Sequence, residues 1–139
     1  MSPLVQEGVG RVRIDGDRGI VSARQRGRAL ALGLGFSSGG ATLVATAISE
    51  LARNILLYAG QGEIDLRPLE RGGNPGLVIV ARDRGPGIDD IRRAMEDGYS
   101  TSGRLGLGLP GVRRLMDQFE IVSTLGVGTE VRAVKWRHP

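Results

Sequence analysis

The stretch Ala41-Thr42-Leu43-Val44-Ala45-Thr46-Ala47-Ile48-Ser49-Glu50-Leu51-Ala52-Arg53-Asn54-Ile55-Leu56-Leu57-Tyr58 carries Val44, Ala47, Ile48, Leu51, Ile55 and Tyr58 at steps mostly of three and four. That period keeps one face of an α-helix apolar. Glycine-rich sequence breaks the pattern at Gly33 to Gly40 before it and ends it at Gly60 and Gly62 after it. The spacing predicts a helix over about Ala41 to Tyr58. Glu50 and Asn54, four residues apart, then share one face beside the stripe of Ala47, Leu51 and Ile55.

Working outward, Arg11 to Ile14 alternates as a short strand, and Asp15-Gly16-Asp17 is a turn in which Asp17 could cap a helix. A first helix follows from Ile20 to Leu32. On the other side, Glu63 to Leu69 alternates as a strand that Pro68 is expected to end. Arg71 to Gly76 reads as a hairpin loop, and the apolar run Leu77 to Ala81 as a buried strand. A helix is expected over Ile88 to Glu96, then a long Gly/Ser/Thr-rich loop from Asp97 to Gly108, then a helix opened by Pro110 and running to about Asp117. Two strands, Phe119 to Thr124 and Thr129 to Trp136, close the chain around Leu125-Gly126-Val127-Gly128. Strand pairs joined by short turns imply antiparallel pairing, and helices grouped on one face of that sheet make a two-layer α/β sandwich. The expected sheet is mixed but mostly antiparallel.

Composition narrows the chemistry. The chain has 139 residues, the size of one domain, with about the first eight expected to lie outside the packed part. Absence of cysteine excludes disulfides, thiolate metal sites and a cysteine nucleophile. His138 is the one histidine, beside the C-terminus, which argues against a histidine triad or zinc site. Lys135 is the one lysine among 19 basic residues, so Walker A chemistry is absent. Any phosphate must be handled by backbone amides, arginine, small hydroxyls and a metal ion. The net charge of +4 would suit nucleic acid, but the arginines are scattered and aromatic stacking residues are few. No apolar run approaches the roughly 20 residues that span a membrane, and no signal pattern opens the chain; the expectation is a cytoplasmic protein.

Four stretches could carry chemistry, and each has a bland alternative. On the predicted helix, Glu50 could take a proton and the Asn54 amide oxygen could ligate Mg²⁺, although a glutamate on a solvated helix face would look the same. Asp83-Arg84-Gly85-Pro86-Gly87 follows the buried strand; an ionised aspartate only accepts hydrogen bonds and so suits an adenine amino group, yet Asp/Gly turns are common. Ser100-Thr101-Ser102-Gly103-Arg104-Leu105-Gly106-Leu107-Gly108-Leu109 feeds a helix start, which favours anions, and reads as a phosphate-binding lid or as a plain flexible loop. Gly126-Val127-Gly128-Thr129 is a hairpin turn, with the Thr129 hydroxyl placed to assist Asp83.

The joint order of these stretches resembles the asparagine box and successive glycine boxes of the GHKL ATPases (gyrase, Hsp-type chaperones, histidine kinases, MutL), over nearly the whole chain. Three stretches, 47–54, 95–103 and 108–112, together with Thr129-Glu130 and Lys135-Trp136, are similar to the RsbT type of switch serine/threonine kinase from bacterial stressosomes, a branch related to the RsbW anti-sigma kinases and the sporulation anti-sigma factors. The resemblance implies the Bergerat fold, ATP and Mg²⁺ as cofactors, Asn54 as metal ligand and Glu50 as general base. It implies that Asp83 reads adenine, that Gly87 floors the adenine pocket with Gly85 and Ile88 beside it, and that Thr129 completes it. Ser100, Thr101, Ser102, Gly103, Arg104, Gly106, Leu107, Gly108 and Leu109 become the lid. It implies STAS-domain substrates of the RsbS and RsbR type, and release to activate a PPM-type phosphatase of the RsbU kind or another output. The alternative is a nucleotide-dependent anti-sigma factor with incidental catalysis.

Overall fold

A computed structural model describes residues 10–88, 95 and 108–138. In chain order the elements are β1 (Arg11–Ile14), α1 (Asp17–Gly33), α2 (Ser38–Ala59), β2 (Gly62–Arg71), β3 (Asn74–Asp83), α3 (Gly108–Leu115), β4 (Gln118–Thr124) and β5 (Gly128–Trp136). Among the described residues the strands form one sheet in the order β1-β2-β3-β5-β4. Every neighbouring pair is antiparallel, so the expected parallel component is absent from these strands. α1 and α2 pack on one face, over Ile14, Ile64, Leu66, Leu77, Ile79, Val131 and Ala133. A small second cluster, Val78, Val80 and Val134, is buried on the other face. There Asp65, 5% exposed, accepts hydrogen bonds from the Arg67 guanidinium, with Nε at 2.9 Å. Burying a carboxylate requires such a charged donor.

Several boundaries differ from the sequence reading, each for a local reason. α2 begins three residues early because the Ser37 hydroxyl accepts from Gly40 N at 3.0 Å, an N-cap that lets glycines occupy the first turn. Asp17 is the first residue of α1 and not its cap; that position belongs to Gly16. β2 runs through Pro68 to Arg71. Leu66 N donates to Gly10 O, on the β1 side, so Pro68 two residues on turns its nitrogen the same way, past the end of the β1 register and away from the β3 ladder. The hairpin loop is only Gly72-Gly73, with φ of 56° and 81°, the conformation of a tight two-residue turn. α3 starts at Gly108, with Pro110 inside its first turn, and ends at Leu115. The two closing strands start one residue earlier than expected. The expected helix over 88–96 and most of the loop over 97–108 lie outside the described residues, as do the first nine residues.

The α1–α2 contact depends on the missing side chain of Gly27, which is buried in α1: a Cβ there would meet Ile48 Cδ1 at 2.0 Å. Ile48 is itself fully buried and has little room to turn away. Gly27→Ala is therefore expected to lower stability by about 1–3 kcal/mol through overpacking, despite alanine's better helix propensity. Adding Ile48→Val, which removes the obstructing methyl, should recover part of that loss. Urea denaturation of both single variants and the double variant checks this; simple additivity would contradict it.

Candidate functional site

α2 sets the site. Ile48, Leu51 and Ile55 are buried against the sheet, which fixes the rotation of the helix and hence the direction of Glu50 and Asn54. These two lie one turn apart, about 6 Å along the axis. Glu50 is 4% exposed, far from the solvated glutamate of the bland reading. α3 lies against α2 at this level. One carboxylate oxygen of Glu50 accepts from Arg53 Nη1 at 3.0 Å, and the other accepts from Gly108 N, at the start of α3, at 3.2 Å. The amide of Gly108, expected near phosphate, therefore reaches Glu50 in this structure. Asn54 is half-buried.

Asp83 ends β3, paired with Gly62 on one side and Thr129 on the other. Its Oδ1 accepts from Gly85 N at 2.9 Å and Thr129 N at 3.3 Å. Oδ2 accepts from none of the described residues, which leaves it for an external donor such as an amino group. The carboxylate thus ties the turn after β3 to the start of β5 and retains an acceptor. Two glycines permit the close fit. A Cβ on Gly128 would stand 2.1 Å from Asp83 O, and one on Gly87, where φ is 82°, would stand 2.6 Å from Thr124 O. Gly85 likewise touches Ala59, so the turn abuts the end of α2 that carries Asn54. The resemblance places Gly85 and Gly87 at the adenine pocket, and Gly128 is expected only in a hairpin turn. In the structure they also bring the chain's own segments together.

Two contributors escaped the sequence reading. Arg53 holds Glu50; its three-residue spacing was a legible signal for an ion pair. Ser123 sits opposite Thr129 across the β4–β5 ladder, with the two hydroxyl oxygens 2.7 Å apart, and accepts from Ile88 N at 2.7 Å. Nothing in a strand with alternating polarity marks that serine as different from its neighbours. The structure thus brings Glu50 and Gly108 together, and separately Asp83, Gly85, Gly87, Ile88 and Thr129. Leu109 lies in the first turn of α3. Ser100, Thr101, Ser102, Gly103, Arg104, Gly106 and Leu107 lie outside the described residues.

Among the described residues no three His, Cys, Asp or Glu side chains are grouped to hold a metal. A lone Asn54 oxygen fits a cation such as Mg²⁺, which takes few protein ligands and fills its coordination with substrate phosphates and water. Ser123→Ala removes three hydrogen bonds, with Ile88 N, Thr129 Oγ1 and Gly128 O, around the Asp83–Thr129 pocket. At about 0.5–1.5 kcal/mol each, partly replaced by water, the expected result is about fivefold to tenfold weaker adenine-nucleotide binding by calorimetry. Unchanged affinity would show that Ser123 does not order the pocket.

Residues 39–138 match the family described as histidine kinase-, DNA gyrase B- and HSP90-like ATPases. The chain is 57% identical over 125 residues to the serine/threonine-protein kinase RsbT of Bacillus subtilis, covering 90% of this chain and 94% of that one. It is 33% identical over 98 residues to the anti-sigma F factor of a Thermoanaerobacter species, covering 67% and 68% respectively. A mycobacterial sensor histidine kinase, MprB, superposes with a TM-score of 0.54 over 91% of this chain and 95% of the other, at 16% identity, a likeness of fold alone. The chain belongs to the histidine kinase-, DNA gyrase B- and HSP90-like ATPase family, and within it to the branch of the RsbT serine/threonine-protein kinases.

Proposed function

We propose that this chain is an ATP-dependent protein serine/threonine kinase acting on STAS-domain proteins of the stressosome, of the RsbS and RsbR type. After release it binds and activates a PPM-type phosphatase of the RsbU kind or another output enzyme. Its setting would be the cytoplasm; no described helix is long and apolar enough to cross a membrane. The observation that carries the proposal is the Glu50 carboxylate, 4% exposed and held on both oxygens, on the same helix face as Asn54.

Phosphoryl transfer asks the protein mainly for position and charge stabilisation. Asp83 would accept from the adenine amino group through Oδ2, with Thr129, Gly85, Gly87 and Ile88 around the ring. Asn54 would hold Mg²⁺, whose chemistry when bound is neutralisation of phosphate charge. Glu50 would take the proton of the acceptor Ser or Thr hydroxyl as that oxygen bonds to the γ-phosphorus. The bond from the γ-phosphorus to the β–γ bridging oxygen breaks, and ADP leaves. The segment 100–107 together with Gly108 and Leu109 is kept as the proposed lid, with Arg104 as a phosphate donor.

The 33% identity to an anti-sigma factor supports a second reading, a nucleotide-dependent binding switch with slow catalysis. Incubation with Mg-ATP and a STAS-domain partner separates the two. Phosphate incorporation should fall about 10²–10⁴-fold in Glu50→Ala, the range of a lost general base. In Asn54→Ala, ATP binding should lose its dependence on magnesium. Incorporation unchanged in both variants would remove these roles, and capture of a sigma factor with no incorporation would favour the switch.

A further inference from the structure

One residue on the inner face of β5 breaks its apolar pattern. Val131 and Ala133 are buried under the helices, and the two-residue period of a strand puts Lys135 on the same side, opposite the fully buried Leu77. Lys135 is the one lysine of the chain, and its side chain is only 19% exposed. An ammonium so placed requires acceptors, which it reaches by laying its stem along apolar surface. The acceptor here is the end of α3: Nζ donates to Leu115 O at 3.0 Å. Leu115 is the last residue of that helix, where carbonyls have no partner within the helix and where the dipole favours a cation. Asp117 completes the junction. Its Oδ1 lies 3.9 Å from Nζ, its Oδ2 accepts from Trp136 N at 2.7 Å, and its own N donates to Val134 O at 2.8 Å. The C-terminal end of α3 is thereby bound to the end of β5.

The other end of the same helix touches Glu50. α3 has eight residues, a length of about 12 Å, with Pro110, Gly111 and Val112 buried. Its first amide, Gly108 N, donates to Glu50 Oε1 at 3.2 Å. A short helix packed into a core of low compressibility moves as one piece, so a shift at Leu115 is passed on to Gly108. The bond to Glu50 has little slack, since beyond about 3.5 Å it ceases to be one. Arg53 stands on α2 and moves with Glu50, so it supplies no reference from outside that helix. We infer that Lys135 is a positioning residue for phosphoryl transfer: by capping α3 at Leu115 it sets the place of the Gly108 amide that orients the Glu50 carboxylate. The inference rests on the kinase reading of Glu50 and names a residue on a distant strand through which that base is held. Lys135 acts through α3 and not on the substrates.

The test uses the full chain in two arms. Lys135→Met keeps the stem and removes the donor, whereas Lys135→Arg keeps a cationic donor. The first arm is phosphate incorporation into an RsbS-type STAS-domain protein, read as kcat and KM. Lys135→Met should lower kcat about threefold to tenfold, within what a misplacement of about 1 Å costs, with KM for Mg-ATP changed less than about twofold. Lys135→Arg should recover most of kcat. In a Glu50→Gln background, followed over a longer incubation, Lys135→Met should lower kcat no further, because a residue that acts through the base has nothing left to act on. The second arm needs no catalysis. Hydrogen exchange at the Gly108 amide should quicken about threefold or more in Lys135→Met, beyond any change at the core amides of β3, and return toward the wild-type rate in Lys135→Arg. Should Lys135→Met fail to fold, Lys135→Gln, a shorter neutral donor, takes its place with smaller effects in the same directions. Unchanged kcat in the folded variant overturns the inference. So does a further loss in the Glu50→Gln background, or Gly108 exchange that merely follows the β3 core. Absence of phosphate incorporation by the wild type, with Gly108 exchange still governed by the side chain at position 135, would instead count against the kinase reading alone.

Discussion

The seating of α2 on the sheet is the constraint from which the rest follows. Ile48, Leu51 and Ile55 are almost completely buried, so the helix cannot roll without exposing them. Rolling by one residue position, about 100°, would carry Glu50 out of its place under α3 and Asn54 away from the turn after β3. The apolar stripe therefore does what no hydrogen bond at the site could do alone: it fixes two polar side chains in orientation before any ligand arrives. Gly27 serves the same end from α1 by letting the second helix come close above Ile48.

The end of the site proposed for adenine is held by a different device. Asp83 ties two backbone amides, Gly85 and Thr129, to one carboxylate oxygen and keeps the other available. The antiparallel register that sets Asp83 opposite Thr129, and Ser123 opposite Thr129 in turn, places three side chains on the helix-facing side of adjacent strands. A slip of one residue in either ladder would turn that strand's contribution to the outer face. The proposed binding and the fold thus depend on the same pairing.

Glu50 stands where these two parts meet a third. Its buried carboxylate faces the start of α3 on one side and an arginine-rimmed groove on the other. In the proposed roles, a base in that position would meet the acceptor hydroxyl while the nucleotide lies along Asn54 and Asp83, as a transfer between two separate reactants requires. Arg53 keeps the carboxylate in one rotamer, so that the cost of ordering it is met in folding and not at each turnover.

The amino-acid sequence by itself determined the layers, the helix that carries Glu50 and Asn54, and the strand that ends at Asp83, because each rests on local period and on glycine. The order of the four chemical stretches was legible for the same reason. It did not determine that Pro68 stays within β2, since that depends on which side of the strand still has a neighbour. Nor did it reveal Ser123, whose importance comes from lying across a ladder from Thr129, or the depth at which Glu50 is buried, which comes from α3 packing over α2. Side-chain direction within an element follows from periodicity, whereas the meeting of Glu50 with Gly108, 58 residues apart in sequence, is decided only when helix and sheet close on one core.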